Sequence, residues 1–254
     1  FDKAISPMVV RYSNAAVGML PKVNTHLLAG KKLLQIADVI VVWSDVARDF
    51  INQAFGIEES RIEVVPYGVD PCENNFDPDL FRNQYYGGKF ILSVGNLGGD
   101  RKNFLRLIKA VSHFEVPVYI IGPIPNNNYS RKCVNIANKY KNIHLLGFVD
   151  KTLLMSAFAA ADVYVQPSIT EGVGIAILNA ALAGSKLVVT ENGAPSYYLG
   201  DHAIYVNPRS IKSIRLNLLN SLEMPKSRYL RDHLIERFSW ENSGKRLLEI
   251  YENI

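Results

Sequence analysis

The chain has 254 residues, 48% of them hydrophobic and 20% charged, with a formal charge of +4 at pH 7. That mix supports a sizeable core in one large or two smaller domains, and no apolar run reaches the ~18 residues of a membrane-spanning helix. The charge excess is too small to mark a nucleic-acid binder, yet it suits an anionic ligand or a loose contact with acidic lipid.

Ala37–Ser44 (ADVIVVWS) is a β-branched apolar run that reads as a buried strand, and Asp45–Gly56 follows with helical spacing and a glycine stop. Arg61–Pro71 is a strand broken at Pro66-Tyr67-Gly68. The polar stretch from Cys72 to Asn83 reads as a linker between two lobes. Strand-like and helix-like segments then alternate. Phe90–Asn96 is a strand, Phe104–Phe114 a helix, Val116–Gly122 a strand, Ser130–Tyr140 a helix and NIHLLGFV a strand with its turn. Lys151–Ala161 is a helix, Asp162–Ser168 a strand, VGIAILNAALAG a helix, Lys186–Asn192 a strand, and HAIYVNP ends the alternation. Arg209 to Ile254 is mostly helical, with a break near Met224-Pro225. Such alternation predicts a doubly wound α/β fold with a parallel sheet, whose ligands bind beyond the carboxyl ends of the strands. Cys72 and Cys133 are isolated, and His26, His113, His144, His202 and His233 show no metal-ligand spacing. Neither a disulfide framework nor a metal site is expected, and a reducing interior is.

The chemistry concentrates in loops that follow strands. In PSITEGVGIAILNAALAG (Pro167–Gly184) a strand gives way to a helix through Glu171, Gly172, Val173 and Gly174. Unpaired N–H groups and the helix dipole make a helix start attractive to phosphate, and glycines allow close approach. A carboxylate beside a phosphate makes sense if the ligand also carries hydroxyls, as a sugar phosphate does. The plainer alternative for Glu171 is a favourable charge at a helix start. Asn179 lies seven residues beyond Gly172, about two turns or roughly 10 Å along one helical face, where it reaches the ligand or bonds a neighbouring loop. In VGNLGGDRKN, Arg101 and Lys102 precede a helix whose dipole they oppose, so an anion should compensate them. A diphosphate fits, and a solvated basic turn is the alternative. Gly95 and Asn96 belong to the same loop. Gly122-Pro123 and Phe148-Val149 close two further strands and read as an apolar slot for a nucleobase, or as mere turns. VGNLGG is not a GxGxxG fingerprint, and no Walker loop, HExxH or nucleophile elbow occurs.

The segments RIEVVPYGVD, ILSVGNLGGDRKN, GFVDKTLLMSAFAAADVYVQPSITEGVGIAILNAALAG, GDHAIYVNP and RFSWENSGKRLLEIYENI occur in that order. Together they resemble the retaining nucleotide-sugar glycosyltransferases of family 4, over roughly Ala37 to Ile254. The resemblance implies a GT-B fold: a C-terminal Rossmann-like domain of parallel sheet flanked by helices, plus a truncated part of the N-terminal one. The implied divisions are 1–67 for the acceptor-side remnant, 68–238 for the donor domain and 239–254 for a closing helix. It implies that Glu171 contacts the donor sugar, that Lys102 and Arg101 bind the diphosphate, and that the backbone of Gly172–Gly174 lies beside both. Asn179 stands where the family has a second glutamate that binds ribose, and Asn96 where many members have a phosphate-binding arginine. By the same resemblance, Val9–Asn14 (VVRYSN) matches an early strand that in many members ends near a catalytic histidine, with Ser13 or Asn14 in its place; His26 is a weaker substitute. The implied activity is transfer of a sugar from a nucleoside diphosphate sugar to a glycan or lipid-linked acceptor, without a metal or other cofactor. The implied location is cytoplasmic or peripheral at the inner membrane face, with a missing N-terminal lobe as an implied partner. A nucleotide-sugar-binding module without transferase activity is the first alternative, and a sugar-nucleotide epimerase the second.

Overall fold

Short β-branched runs become strands and the segments between them helices in the computed structural model, which describes residues 24–70, 77–226 and 229–253. The early strand at Val9–Asn14, the side chain of His26 and Cys72 lie outside the described residues. The chain divides into two compact units. One is the part up to Gly68 together with the part from Trp240 onward; the other is Val69–Ser239.

In the first unit, α1 (Asn24–Ile36), β1 (Ile40–Val42), α2 (Asp45–Phe55) and β2 (Ile62–Val64) succeed one another. Helix α2 starts where the Ser44 hydroxyl accepts from the Ala47 amide. It stops at Gly56, which takes the left-handed conformation (φ 67°) that closes a helix cheaply only in glycine. Strands β1 and β2 pair in parallel, Ile40 opposite Ile62. Ile40, Val42, Ile57 and Ile62 form a small core.

The second unit contains α3 (Asp79–Gln84), β3 (Ile91–Val94), α4 (Phe104–Val111), β4 (Val118–Ile121), α5 (Asn128–Ala137), β5 (Ile143–Gly147), α6 (Lys151–Ala160) and β6 (Val163–Gln166). It continues with α7 (Ile175–Leu182), β7 (Lys186–Thr190), α8 (Pro195–Leu199), β8 (Ile204–Val206), α9 (Ile211–Glu223) and α10 (Tyr229–Arg237). Helix α11 (Trp240–Glu252) returns to the first unit, where the Ser243 hydroxyl donates to the Pro66 carbonyl at 2.7 Å and Tyr67 meets Trp240 edge-on.

The six strands of the second unit are all parallel, in the order β5-β4-β3-β6-β7-β8. Strands buried on both faces explain the unbroken apolar runs. On one face α4, α5 and α9 pack over the main core, which includes Phe104, Leu107, Ile108, Cys133, Ile214 and Leu218. Helices α3, α6, α7 and α10 form the other layer. Burial pushes the Cys133 thiol up to about 11, so this cysteine is an inert core residue.

The expected linker from Cys72 to Asn83 is corrected in its second half, which folds as α3. Phe81 there is fully buried, stacks on Phe90 and Tyr85, and donates from its amide to the Ser156 hydroxyl at 2.8 Å. One buried aromatic in a polar stretch outweighs the composition around it.

Candidate active site at the sheet switch point

Chain progression through the sheet reverses between β3 and β6. The helices after the two strands lie on opposite faces there and leave a crevice at the carboxyl ends. The two loops that carry Arg101-Lys102 and Glu171 are the ones that follow these strands. They are joined directly, since the Ile169 amide donates to the Arg101 carbonyl at 2.8 Å.

The anion that compensates the two cations is the protein's own. Lys102 Nζ lies 2.7 Å from Glu171 Oε2, and Arg101 Nη1 lies 3.3 Å from Oε1. Glu171 is 6% exposed, whereas the Arg101 side chain is 35% exposed. The carboxylate is therefore enclosed, Lys102 (18% exposed) is largely covered, and Arg101 opens outward. Arg101 and Lys102 sit in a single 3-10 turn, Asp100–Lys102, that ends at Asn103 in the left-handed region (φ 62°). The buried Asn103 amide donates to the carbonyls of Pro167 (2.8 Å) and Pro208 (2.7 Å), tying the loops after β3, β6 and β8 together.

A second set of bonds reaches Glu171 from below. Ser168 Oγ is 2.9 Å from Glu171 Oε2, Gln166 Nε2 is 3.0 Å from Ser168 Oγ, and Tyr164 Oη is 2.5 Å from Gln166 Oε1. All three side chains are fully buried. The direction is forced. An ionised carboxylate only accepts, so Ser168 must donate to it and accept from the Gln166 NH2. The amide oxygen then faces Tyr164, which donates. Burial, with the Glu171 charge adding to it, holds the Tyr164 phenol well above its ordinary range and keeps it a donor. Sequence reading missed these three residues because Tyr164 and Gln166 look like ordinary strand positions. Their shared face, alternating toward the loop, is the available signal.

The loop after β7 completes the enclosure, and it too was missed. The Glu171 amide donates to Asn192 O (3.2 Å), the Ala194 amide to Glu171 O (3.1 Å), and Asn192 Nδ2 to Ile169 O (3.0 Å). The Asn-Gly pair after a strand is a turn signal that could have found it.

Gly172 and Val173 precede the helix, and Gly174 caps it in the left-handed region (φ 73°). Since α7 begins at Ile175, the two-turn spacing from Gly172 to Asn179 does not run along one helix. Asn179 instead lies one turn beyond Ile175, which is 50% exposed at the helix start. Asn179 is half-buried, and its side chain makes no hydrogen bond among the described residues. Asn96 closes its own loop by accepting from the Gly98 amide at 2.7 Å. The Gly95 amide donates to Ile121 O, and that of Gly122 to Gly147 O. Gly122 (φ 143°) has to be glycine, because a Cβ there would lie 2.0 Å from Gly95 O. Among the slot residues, Pro123 is exposed, Val149 half-buried and Phe148 80% exposed. No group of His, Cys, Asp or Glu that could hold a metal occurs among the described residues.

The profile of the family described as Glycosyl transferases group 1 matches residues 80–237. The chain is 25% identical over 233 residues to the phosphatidylinositol N-acetylglucosaminyltransferase GPI3 subunit of Saccharomyces cerevisiae, over 85% of this chain and 51% of that protein. It is 25% identical over 241 residues to O-antigen chain mannosyltransferase B of Escherichia coli, over 86% of this chain and 61% of that one. The chain thus spans between half and two thirds of these relatives. Among solved structures, sucrose-phosphate synthase of Thermosynechococcus elongatus superposes with a TM-score of 0.80 at 19% identity, over 98% of this chain and 66% of that one. HepE of Anabaena, in complex with UDP and glucose, gives 0.77 at 16%, over 100% of this chain and 69% of that one. The fold is accordingly of the GT-B type, as expected from the sequence. With a profile match over more than half its length and the switch-point crevice it encloses, this chain belongs to the family of Glycosyl transferases group 1.

Proposed function

We propose that the chain carries the donor side of a retaining hexosyltransferase, which moves a sugar from a nucleoside diphosphate sugar to a glycan or lipid-linked acceptor. The observation that carries this reading is the Arg101–Lys102–Glu171 cluster at the switch point, where cations for a diphosphate and a carboxylate for sugar hydroxyls lie within one bond of each other. HepE, solved with UDP and glucose, has the same fold. The residues before Gly68, with α11, are then the acceptor-side part.

Glycosyl transfer separates an anionic diphosphate from an oxocarbenium-like sugar. Lys102 and Arg101 stabilise the departing charge, helped by the amides at the start of α7. Glu171 accepts from sugar hydroxyls and offsets positive charge at the anomeric carbon. In the resting site these groups satisfy one another, so the donor exchanges partners: its diphosphate draws the cations away while its hydroxyls take over the carboxylate. A nucleoside diphosphate alone completes only half of that exchange. On this reading two cations do the work a metal ion would otherwise do.

Lys102→Ala is expected to weaken binding of UDP or GDP, whichever nucleotide the protein selects, at least ~10-fold. A charge-assisted bond is worth about 1.5–3 kcal/mol. Calorimetry against UDP-, GDP- and ADP-sugars identifies the donor and tests this; unchanged affinity refutes the assignment. Ser168→Ala removes the buried donor beneath Glu171. It is expected to lower kcat about tenfold with nucleotide affinity preserved, and Ser168→Thr should restore the rate. A parallel loss of nucleotide binding would make Ser168 a folding residue only.

A binding module without transferase activity is the second reading: by the resemblance in sequence, neutral Asn179 falls where the family has a second glutamate, and its half-buried side chain makes no hydrogen bond among the described residues. Turnover of a donor by the protein, with its acceptor-side lobe complete, decides between the two.

A further inference from the structure

The helical layer formed by α4, α5 and α9 is charged very unevenly. Together with the turns that follow α4 and α5 it carries Arg106, Lys109, Arg131, Lys132, Lys139, Lys141, Lys212 and Arg215. Against these eight cations stand two carboxylates, Glu115 and Glu223. The formal charge of the whole chain is only +4, so everything outside this layer is net acidic. The opposite layer is nearly balanced: Asp79 with Arg82 on α3, Lys151 on α6, and Arg231, Asp232, Glu236 and Arg237 on α10 leave a single net positive charge.

None of the eight forms an ion pair among the described residues, whereas ion pairs occur on α2, α3 and α11. Arg106, Arg131 and Arg215 bond only to neutral groups: Asn103, the amides of Asn126 and Asn128, and the carbonyls of Lys109 and Ala110. Lys109, Lys132, Lys139, Lys141 and Lys212 are exposed. On α9 the outward row Lys212, Leu216, Leu219 sets two leucines, 47% and 43% exposed, beside the cations.

We propose that this layer is a docking face for an anionic lipid bilayer. Three features favour a bilayer over a nucleic acid. The cations spread across three neighbouring helices and the turns after two of them. Exposed leucines accompany them, which an acyl–headgroup boundary accommodates and a phosphate backbone does not use. The face also offers no exposed tyrosine, phenylalanine or tryptophan for base stacking, since Tyr129 and Tyr140 are half-buried and the one exposed ring there, His113, is engaged edge-on by Tyr140. Basic residues near an anionic leaflet add up while they stay within a Debye length of it. The switch-point loops lie at the carboxyl edge of the sheet and not under these helices, so docking by this layer leaves the candidate active site uncovered. The inference does not depend on the proposed activity.

The test is sedimentation of the purified protein with vesicles of phosphatidylcholine alone or with about 30 mol% phosphatidylglycerol. Binding is expected only with the anionic lipid, and is expected to fall steeply between roughly 0.05 and 0.5 M salt. Lys132→Glu combined with Lys212→Glu should weaken it at least ~10-fold. The matched pair Lys89→Glu and Lys151→Glu changes net charge equally outside this layer and should leave binding within about twofold; circular dichroism confirms that both pairs fold. Leu216→Ser with Leu219→Ser should weaken the salt-resistant remainder. Three results would overturn the proposal: no binding to anionic vesicles at low salt, equal losses for the two charge-reversed pairs, or tighter binding of a short RNA than of the vesicles.

Discussion

Glu171→Gln is expected to lower sugar transfer about 100-fold, the scale on which removal of a preorganised electrostatic group acts. Binding of the free nucleoside diphosphate should at the same time hold or tighten several-fold. The resting protein satisfies Lys102 and Arg101 with the same carboxylate that the sugar needs. Glutamine keeps the shape of the side chain but removes its charge, so both cations become available to a diphosphate without a partner to surrender. Transfer suffers because a neutral amide neither orients sugar hydroxyls as strongly nor offsets charge at the anomeric carbon. Initial rates and calorimetry with UDP or GDP, run on the same preparation, separate the two effects. If both quantities fell equally, Glu171 would be a structural anchor for its loop and not part of the donor site.

Gly193→Ala should destabilise the protein by about 2–5 kcal/mol, the sum of a strained backbone and an overpacked contact. Gly193 has φ 100°, and a Cβ there would lie 1.9 Å from the Glu171 carbonyl oxygen and 2.9 Å from its carbon. Neither atom can yield cheaply, because residues 171 and 193 are bridged in parallel and the Ala194 amide holds the same carbonyl. The melting temperature should drop by roughly 5–15 °C for a unit of this size, and transfer should fall with it as Glu171 is displaced. Gly99→Ala is the control: a Cβ there meets nothing within 4 Å, and its backbone is extended (φ −158°). That substitution should stay within about 0.5 kcal/mol of the parent. An unchanged melting point for Gly193→Ala would mean that the two corners move apart readily.

The alternation of strands and helices was legible because parallel strands must be apolar on both faces, which leaves runs such as Val163–Val165 and Val188–Val189 that need no long-range information. The stop at Gly56 and the break before Pro225 were local too, being set by left-handed backbone and by the missing proline N–H. Arg101, Lys102 and Glu171 could be singled out because each was locally out of place: cations at a helix start, and a carboxylate in a glycine loop. Their pairing with one another was not legible, since 69 and 70 residues separate the partners. Spacing within one loop says nothing of what another loop brings. The same limit hid Asn103 and Asn192, whose partners come from other corners. The Tyr164–Gln166–Ser168 chain is local, its members two residues apart, and was hidden because Tyr and Gln look ordinary in a strand. Helix α3 escaped because six residues are too few to show a period, and its one telling residue, Phe81, acquires meaning only against Phe90 and Tyr119.

Asn103 grips two carbonyls from distant parts of the chain with one small amide, itself held by backbone that asparagine tolerates better than most residues. The three corners therefore cannot drift independently. A mutation near Pro208, far along the chain from any group that would touch a ligand, has a mechanical route to the basic pair, and positions there merit scanning whenever activity changes without an evident cause.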